Sequence, residues 1–414
     1  MSRSKPRLLL YSHDTYGLGH LRRTLAIAHQ VAADLPDAHQ LLITGSMVAG
    51  AFSLPPRLDM IKLPALSKRS SGQYTARALP LSLGDTLSWR KHMILQAATA
   101  FKPDLVLVDK SPAGVQGELL PTLRHLRAWA PTTQLVLGMR DIEDDPEVTL
   151  AEWRRADVPR LQTEIYDHLL YYGQRSVFDP VTAYRMSARA ASKLVECGYL
   201  ARPVADADRP AAVVRRELGA GALPLVVVTV GGGGDGFDVV RAYLEMLAEW
   251  PGGAPFYSLV VTGPLMSAGK RRLLRQAART ERLTLLDFTP ALFSYLAAAD
   301  LVIGMAGYNT VCETLALGRR AIFIPRVHPR GEQRLRAERL AALGLARLIL
   351  PVALTPARLA AEVQDALAET PPAGALQLDG LARVSRALAE LLGQPLPAAA
   401  LPDTAFAAVE QVTA

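Results

Sequence analysis

Short, uninterrupted runs of apolar residues alternate along the chain with longer stretches in which apolar residues recur every three or four positions. The uninterrupted runs are typical of parallel strands buried on both faces, and the recurrent spacing is typical of amphipathic helices. Their alternation predicts α/β domains with parallel sheets. Strands are predicted at 7–12, 39–44, 59–63, 104–109, 134–139, 168–172, 193–200, 225–230, 257–262, 283–287, 301–303 and 321–325. Helices are predicted at 21–35, 83–100, 116–129, 147–156, 237–250, 310–317, 356–367 and 376–392.

The length of 414 residues exceeds what one hydrophobic core ordinarily accommodates, so we expect two domains of about 200 residues each. A polar, proline-containing stretch near 205–210 is typical of a linker, and the polar stretch 64–80 is predicted to be a long functional loop. The predicted divisions are an N-terminal domain at 1–200, a linker at 201–221, a second domain at 222–370, and a helix with a Pro/Ala-rich tail at 371–414.

Charge changes this picture by favouring anionic partners. The sequence has 46 Lys+Arg against 39 Asp+Glu, a formal net charge of +7, and arginines cluster at 319–339 and at 271–279. A solvated helix face is the ordinary explanation of such clusters, and an anionic ligand or an anionic membrane surface is the alternative. Aromatic residues are not interleaved with the basic ones, so nucleic acid is not an expected partner.

No apolar run reaches the roughly 18 residues that a membrane-spanning helix requires. A cytoplasmic location is therefore expected, with the inner face of the membrane as the alternative. Cys197 and Cys312 are the only cysteines and fall in different predicted domains, so neither a disulfide nor a metal cluster is expected. Asp206 and Asp208 form a D-x-D pattern, but inside a linker we expect them to form a solvated turn and no metal site.

A run of glycines follows the first strand of the second domain. Gly231, Gly233 and Gly236 satisfy the G-x-G-x-x-G pattern of dinucleotide-binding domains. The acidic residue expected at the end of the next strand is missing, because 257–262 is followed by Gly263. The turn is therefore expected to hold a diphosphate through its backbone N–H groups, and no dinucleotide or other cofactor is predicted.

Another glycine loop lies between the first strand and the first helix. It contains Gly17 and Gly19 and ends in His20, while Arg22 stands where a dinucleotide fingerprint requires its third glycine. A strand, a glycine loop and a helix start together form an anion-binding turn. A lone histidine at a helix start is ordinarily structural, so His20 has a structural and a chemical explanation at this point.

Residues 300–333 predict a strand, a glycine turn, a helix and a second strand, which brings the helix start to the carboxyl edge of a parallel sheet. Glu313 follows Thr310 by three positions, as in an S/T-x-x-E capping box. A carboxylate at this edge is equally suited to accept two hydrogen bonds from a vicinal diol such as ribose. Arg140 and Asp141 also follow a strand directly, where they either point into the crevice or form a structural ion pair.

The residues from Gly307 to Glu313 are GYNTVCE, and Gly318, Pro325 and then Glu332-Gln333 follow in order. This series resembles the donor-binding segment of glycosyltransferases of family 28. In that family the glutamate that matches Glu313 binds the ribose of a nucleotide diphosphate sugar, and the glutamine that matches Gln333 contacts the sugar hydroxyls. The resemblance also implies a phenylalanine beside the nucleobase. The implied donor-binding residues are Gly231, Gly232, Gly233, Gly234, Phe288, Gly307, Asn309, Thr310, Glu313, Glu332 and Gln333.

The loop that ends in His20 is similar to the N-terminal glycine loop of the same family, whose histidine lines the cleft and is a candidate to deprotonate the acceptor. By this resemblance His20 is the catalytic base. The sequence departs from the family at Met305-Ala306, where relatives often carry His or Ser, and at Arg336, where several carry Asn. These departures leave the identity of the donor open. The implied acceptor-side residues are Asp14, Gly17, Gly19, Arg140 and Asp141.

The resemblance implies two Rossmann-like domains that face each other across a cleft, the GT-B arrangement. It implies metal-independent transfer of a sugar, with inversion, from a nucleotide diphosphate sugar to an acceptor hydroxyl. The expected donor is a UDP-sugar, and the expected acceptor is lipid-linked or a polysaccharide. Three alternatives remain: a nucleotide-sugar 2-epimerase of the same fold, a nicotinamide oxidoreductase, and a non-catalytic protein that binds nucleotide sugars.

Overall fold

The structure is a computed structural model that describes residues 5–13, 19–68, 74–77, 79–202, 209–371, 376–394 and 396. The chain divides into two compact units. The first comprises Met1–Leu200 and Asp379–Ala414, and the second comprises Ala201–Leu378. Each unit contains one parallel sheet with helices connecting its strands.

The first unit is built on a parallel sheet of seven strands in the order β3-β2-β1-β6-β7-β8-β9, and β4 pairs with β5 in a separate antiparallel hairpin. The central strand β1 is buried almost throughout because it pairs with β2 on one side and β6 on the other. The strands are β1 Arg7–Ser12, β2 His39–Thr44, β3 Leu58–Lys62, β4 Leu66–Lys68, β5 Tyr74–Ala76, β6 Leu105–Asp109, β7 Gln134–Arg140, β8 His168–Tyr172 and β9 Leu194–Glu196.

Helices cover this sheet with apolar faces that pack on the strands. The longer helices are α1 Gly19–Asp34, α2 Leu83–Phe101, α3 Leu120–Trp129 and α4 Pro146–Arg155. Short helical turns occupy Ala49–Ala51, Val115–Gly117, Val158–Arg160, Leu161–Ile165, Pro180–Ala183 and Ala188–Ala191. Helix α1 begins at Gly19, shortly after β1 ends at Ser12, so the N-terminus of α1 lies at the carboxyl edge of the sheet.

The second unit repeats this plan with six parallel strands in the order β12-β11-β10-β13-β14-β15. The strands are β10 Leu225–Thr229, β11 Tyr257–Val261, β12 Leu283–Leu286, β13 Leu301–Gly304, β14 Arg320–Phe323 and β15 Arg347–Leu348. The helices are α5 Ala211–Leu218, α6 Phe237–Glu249, α7 Ala268–Ala277, α8 Leu292–Ala298, α9 Tyr308–Ala316, α10 Glu332–Ala342 and α11 Pro356–Ala368, with a helical turn at Pro351–Ala353. The predicted α/β class is confirmed in both units.

The final helix, α12 Gly380–Leu391, returns to the first unit and packs on α1. Gly380 lies so close to the end of the N-terminal part of this unit that a Cβ there would be 2.6 Å from the Tyr199 carbonyl oxygen, which leaves room only for glycine. Leu381, Val384 and Leu388 are buried on the inner face of the helix. Apolar spacing predicts such a helix but carries no information on which domain it covers.

Two segments differ from the sequence expectation. The stretch 201–221 contains α5, because Val214 of that helix is fully buried in the core of the second unit and stabilises a helix where composition favours a linker. The stretch 64–80 contains the β4–β5 hairpin. Asp206 and Asp208 lie outside the described residues. Within the described ranges, every helix is too short or too polar to cross a bilayer.

Candidate functional sites at two sheet edges

The strand order of each sheet reverses beside its first strand, between β1 and β6 in the first unit and between β10 and β13 in the second. Open parallel sheets bind ligands outside the carboxyl ends of their strands at such reversals, because the connections diverge there and leave a crevice. Each unit therefore presents one candidate site. We call these sites the first edge and the second edge.

At the first edge, a histidine, an aspartate and an arginine form a compact cluster. His20 lies in the first turn of α1, and its Nδ1 atom is 2.6 Å from Oδ2 of Asp109, the last residue of β6. Arg23, one turn along α1, donates from Nε to Oδ1 of Asp109 at 2.8 Å and from Nη2 to Oδ2 at 2.6 Å. The side chains of Arg23 and Asp109 are 2% and 3% exposed, while that of His20 is 18% exposed.

The charges of this cluster determine where the histidine carries its proton. Burial raises the pKa of Asp109, but the Arg23 guanidinium and the hydrogen bond from His20 outweigh burial and hold that pKa well below its usual range. An ionised carboxylate can only accept hydrogen bonds, so Nδ1 of His20 carries the hydrogen and Nε2 carries the lone pair. Burial lowers the pKa of His20 to about 4, against the opposing effect of Asp109. His20 is therefore a neutral base at neutral pH.

Further charged groups surround this cluster. The ring of His13 lies edge-on to that of His20 at 5.7 Å between centroids, and burial lowers the pKa of His13 well below its usual value. Glu143 lies 3.3 Å from Nζ of Lys110 and 3.7 Å from Nη2 of Arg140. Burial raises the pKa of Glu143, but the two cations lower it by more than burial raises it, so the net shift is downward.

The acceptor-side residues predicted from the resemblance fall into two groups. Gly19 begins α1, Arg140 ends β7, and Asp141 follows it fully buried, with its Oδ1 accepting the backbone N–H of Ile142 at 2.7 Å. Asp14 and Gly17 lie outside the described residues. Asp109 and Arg23 are not among the predicted site residues, although Asp109 ends a predicted strand.

At the second edge, glycines shape the turn after β10. Gly233 has a φ of +87°, and a Cβ on it would lie 2.1 Å from the carbonyl oxygen of Thr262. A Cβ on Gly236 would lie 2.2 Å from the Cβ of Val230. Two loops therefore pack backbone against backbone at the end of β10, and only glycine allows this approach. Such a turn can present N–H groups to an anion.

The helix that follows β13 begins earlier than predicted. Gly307 is the N-cap of α9, no side chain caps its N-terminus, and Thr310 is already the third helical residue. Glu313 therefore lies in the second turn, and of the two explanations for it the capping box is wrong, because the helix begins before Thr310. Glu313 is 5% exposed, and its Oε1 accepts a hydrogen bond from Nη2 of Arg202 at 2.9 Å. Asn309 joins Thr310 in the first turn.

Arg326 connects the glycine turn to the start of α10. Its Nη1 donates to Oδ2 of Asp235 at 2.7 Å, and its Nη2 donates to Oε1 of Glu332. Its backbone N–H donates to Oε1 of Gln333 at 3.0 Å. The structure therefore brings the predicted residues Glu332 and Gln333 to the same edge as the glycine turn.

Two more residues of interest lie at the second edge. Phe288 follows β12 and leaves 44% of its surface exposed, so its ring is accessible at this edge. Arg336, one of the departures from the family pattern, is 1% exposed and donates to the carbonyl oxygen of Ala306 at 2.8 Å. Ala306 has a φ of +57°, so this hydrogen bond supports a strained backbone just before α9.

Comparison with known proteins identifies the fold class of the chain and then the family that its second unit resembles. The crystal structure of MurG from Acinetobacter baumannii has a TM-score of 0.52 at 15% sequence identity, over 95% of this chain and 96% of that one. The chain therefore has the GT-B fold, as predicted. Residues 226–375 match the glycosyltransferase family 28 C-terminal domain. This match covers most of the second unit, and the predicted resemblance to family 28 is confirmed.

Curated relatives agree with this assignment. Two are named UDP-N-acetylglucosamine–N-acetylmuramyl-(pentapeptide) pyrophosphoryl-undecaprenol N-acetylglucosamine transferase. The one from Vibrio vulnificus is 27% identical over 61% of this chain and 69% of its own length. The one from Corynebacterium efficiens is 40% identical over 22% of this chain and 24% of its own length. The alignments thus span from about a quarter to about two thirds of these relatives.

Proposed function

We propose that this protein transfers a sugar from a UDP-sugar to an acceptor hydroxyl, with inversion and without a divalent metal. The observation that carries the proposal is the His20–Asp109 pair at a sheet edge, in a chain whose other sheet belongs to a family 28 domain. A buried, ionised carboxylate that keeps the hydrogen of a neutral histidine on Nδ1, and so the lone pair on Nε2, favours a catalytic base over a mere nucleotide-sugar binder.

The second edge is the proposed donor site. Backbone N–H groups of the glycine turn and of the α9 N-terminus would hold the diphosphate, since both are suited to anions. Glu313 would accept the ribose hydroxyls, and Gln333 would contact the sugar. Arg326 contacts Asp235 of the glycine turn, and its positive charge would help to stabilise the leaving diphosphate. Phe288 would lie beside the nucleobase.

The first edge is the proposed source of base catalysis. Nε2 of His20 would take the proton of the acceptor hydroxyl while the acceptor oxygen attacks the anomeric carbon. The bond between that carbon and the diphosphate oxygen breaks, and its electron pair leaves with the diphosphate. Asp109 would stabilise the imidazolium that forms, and Arg23 keeps Asp109 ionised and oriented.

We further propose a lipid-linked acceptor at a membrane surface. The curated relatives are named for a pyrophosphoryl-undecaprenol substrate. One short segment of the first unit exposes three large apolar side chains, Leu79 at 45%, Leu81 at 41% and Trp89 at 48%. Large apolar residues exposed close together in sequence favour contact with a lipid or with an acyl chain. Such contact would bring the acceptor to the protein without a spanning helix.

Replacement of His20 tests the proposal. A general base typically contributes about 10² to 10⁴ in rate, so His20→Ala should lower turnover by that factor and leave UDP affinity within about threefold. Turnover is measured with UDP-N-acetylglucosamine and a polyprenyl diphosphate-linked acceptor, and UDP affinity by calorimetry. His29→Ala is the matched control, since His29 lies on the same helix and contacts the Ser53 carbonyl oxygen instead.

Two outcomes contradict the proposal. Full activity of a folded His20→Ala protein removes this residue from the mechanism and directs attention to Asp14 or Asp141. Conversion of the UDP-sugar to a 2-epimer in the absence of any acceptor identifies an epimerase of the same fold.

A further inference from the structure

Arg202 contacts two different helices of the second unit. Its Nη2 donates to Oε1 of Glu313 on α9 at 2.9 Å, and its guanidinium carbon lies 4.2 Å from the ring centroid of Phe293 on α8. Its side chain is 32% exposed, whereas that of Glu313 is 7% exposed. The arginine therefore covers the carboxylate from the solvent side. Arg202 falls in the segment predicted to be a linker and is not among the predicted site residues.

The arrangement solves a physical problem of Glu313. A buried carboxylate costs free energy unless a counter-ion and hydrogen bonds compensate it, and Arg202 supplies both. An ionised carboxylate offers about four acceptor sites on its two oxygens. A donor from Arg202 on Oε1 is therefore compatible with further hydrogen bonds from a diol. Stacking on Phe293 fixes the plane of the guanidinium, so that Arg202 can hold the carboxylate in one orientation.

Helix α8 anchors the chain on both sides of residues 203–208. Before them, Arg202 stacks on Phe293. After them, the backbone N–H of Arg209 donates to Oγ of Ser294 at 3.3 Å, and its guanidinium lies 5.0 Å from the ring of Tyr295. Helix α8 begins a few residues after Phe288, next to the proposed nucleobase site. Arg202 is thus held between that helix and the proposed ribose carboxylate.

We propose that Arg202 is a positioning residue of the donor site, which holds the Glu313 carboxylate ionised and oriented to accept both hydroxyls of the donor ribose. This inference rests on the proposed function, because it takes Glu313 as the ribose ligand. Arg202 itself need not touch the nucleotide. Its effect should appear in how strongly the protein distinguishes a nucleotide with a ribose diol from one without it.

The experiment compares the dissociation constants of UDP and 2′,3′-dideoxy-UDP by calorimetry. In the unmodified protein, loss of the diol should weaken binding about tenfold to a hundredfold, as expected for charge-assisted hydrogen bonds. Arg202→Met keeps an unbranched side chain to pack on Phe293 and removes the donors. It should bring the ratio of the two dissociation constants down by at least about threefold, chiefly by weakening UDP. Arg202→Lys should restore part of the ratio, since it keeps the charge and loses the planar fork.

Arg209→Met is a matched control. Arg209 is 30% exposed, stacks on an aromatic ring of the same helix and pairs with Glu217. This variant should keep the ratio of the unmodified protein, even if its melting temperature falls by as much as that of Arg202→Met. Preservation of the ratio in Arg202→Met, with or without a lower melting temperature, assigns Arg202 a structural role and overturns the proposal. Tighter UDP binding in Arg202→Met also overturns it, since Arg202 would then compete with the ribose.

Glu313→Ala separates failure of this inference from failure of the donor site. This variant should bring the ratio close to one, with UDP bound about tenfold to a hundredfold more weakly. An unchanged ratio in a folded Glu313→Ala protein overturns the ribose assignment, and the inference on Arg202 with it. A reduced ratio in Glu313→Ala together with an unchanged ratio in Arg202→Met overturns the inference on Arg202 alone.

Discussion

The two sheet edges have the same topology, but side chains form the candidate site at the first edge and backbone forms it at the second. At the first edge the decisive groups are side chains, with His20, Arg23 and Asp109 in contact and largely buried. At the second edge the decisive feature is backbone, with glycines so crowded that a Cβ on Gly233 would overlap the carbonyl oxygen of Thr262. One edge can therefore exchange protons at neutral pH, and the other can surround an anion with N–H groups.

This difference indicates a division of labour. Acid–base chemistry requires a titratable group with a controlled pKa, which only side chains provide. Recognition of a diphosphate requires several N–H groups that converge on one place, which backbone provides without the entropy cost of ordering long side chains. If the comparison holds, variants at the first edge should change turnover with little effect on nucleotide affinity, and variants at the second edge should do the reverse.

The largest expected effect belongs to Asp109→Asn. An asparagine can donate to Nδ1 of His20 and so favour the wrong tautomer. It also lacks the negative charge that stabilises the imidazolium. Turnover should fall by about 10² to 10⁴ while UDP affinity stays within about threefold. Asp104→Asn is the matched control, because Asp104 immediately precedes the start of β6, away from His20, and accepts the backbone N–H of Arg7. Equal losses in both variants would show that Asp109 is only structural.

The second edge was more accessible from sequence than the first. The glycine turn, the helix start and Glu313 follow one another locally, so residue order alone indicates them, and Gly307 to Glu313 carries a family pattern. Asp109 is 89 residues from His20, and their contact exists only because β6 lies beside β1 in the sheet. Periodicity predicts strands but not their order, so no pattern near His20 could indicate its partner.

The sequence predicted which helices and strands exist better than it predicted the residues at which they begin and end. The strands at 7–12, 39–44 and 168–172 match the structure to the residue. Helix α9 begins two residues before the predicted start, because Gly307 serves as its N-cap without a side-chain hydrogen bond. That small shift is enough to move Glu313 from the first turn to the second and so removes the capping box.

The next effect in size belongs to Gly233→Ala. Alanine at a φ of +87° is strained, and its Cβ would lie 2.1 Å from the carbonyl oxygen of Thr262, so the turn must deform. UDP should bind about tenfold more weakly or worse, a loss of about 1.4 kcal/mol, whereas turnover at saturating donor should change less. Gly269→Ala on α7 is the control, since a Cβ there would meet no heavy atom within 4 Å, so affinity should be nearly normal. A turnover loss in Gly233→Ala larger than its affinity loss contradicts the division between the edges.

A smaller effect is expected from acid, and it sharpens the account of the first edge. Burial lowers the pKa of His20 to about 4, against about 6.5 for an ordinary histidine. At pH 5 the protein should therefore keep about 90% of its turnover at saturating donor, where an ordinary histidine would leave about 3%. Turnover should fall about tenfold per pH unit below pH 4. A midpoint near pH 6.5 in the pH profile would contradict the burial of His20.

The same shift has a consequence for stability with a definite sign. Between about pH 6.5 and pH 4 the unfolded chain binds a proton at His20 that the folded chain does not, so stability falls as the pH falls through this window. In His20→Ala this contribution is absent. Melting temperatures of both proteins across the window measure the difference, and His29→Ala serves again as the control.

The smallest expected effect is that of metal removal, and it concerns both edges equally. Within the part of the chain that the structure describes, no group of three or more His, Cys, Asp or Glu side chains is arranged to hold a metal ion. The proposed mechanism assigns the charge of the leaving diphosphate to N–H groups and to Arg326, so a divalent cation has no necessary part in it. Turnover in excess EDTA should equal that in Mg²⁺ or Mn²⁺ within measurement error.

The double variant Asp206→Ala/Asp208→Ala should be as active as the unmodified protein, since the D-x-D pattern that it removes is expected to be a solvated turn. The prediction is contradicted if EDTA abolishes activity, Mg²⁺ or Mn²⁺ restores it, and the double variant is inactive. A metal ion bound by Asp206 and Asp208 would then stabilise the leaving diphosphate instead of the groups at the second edge.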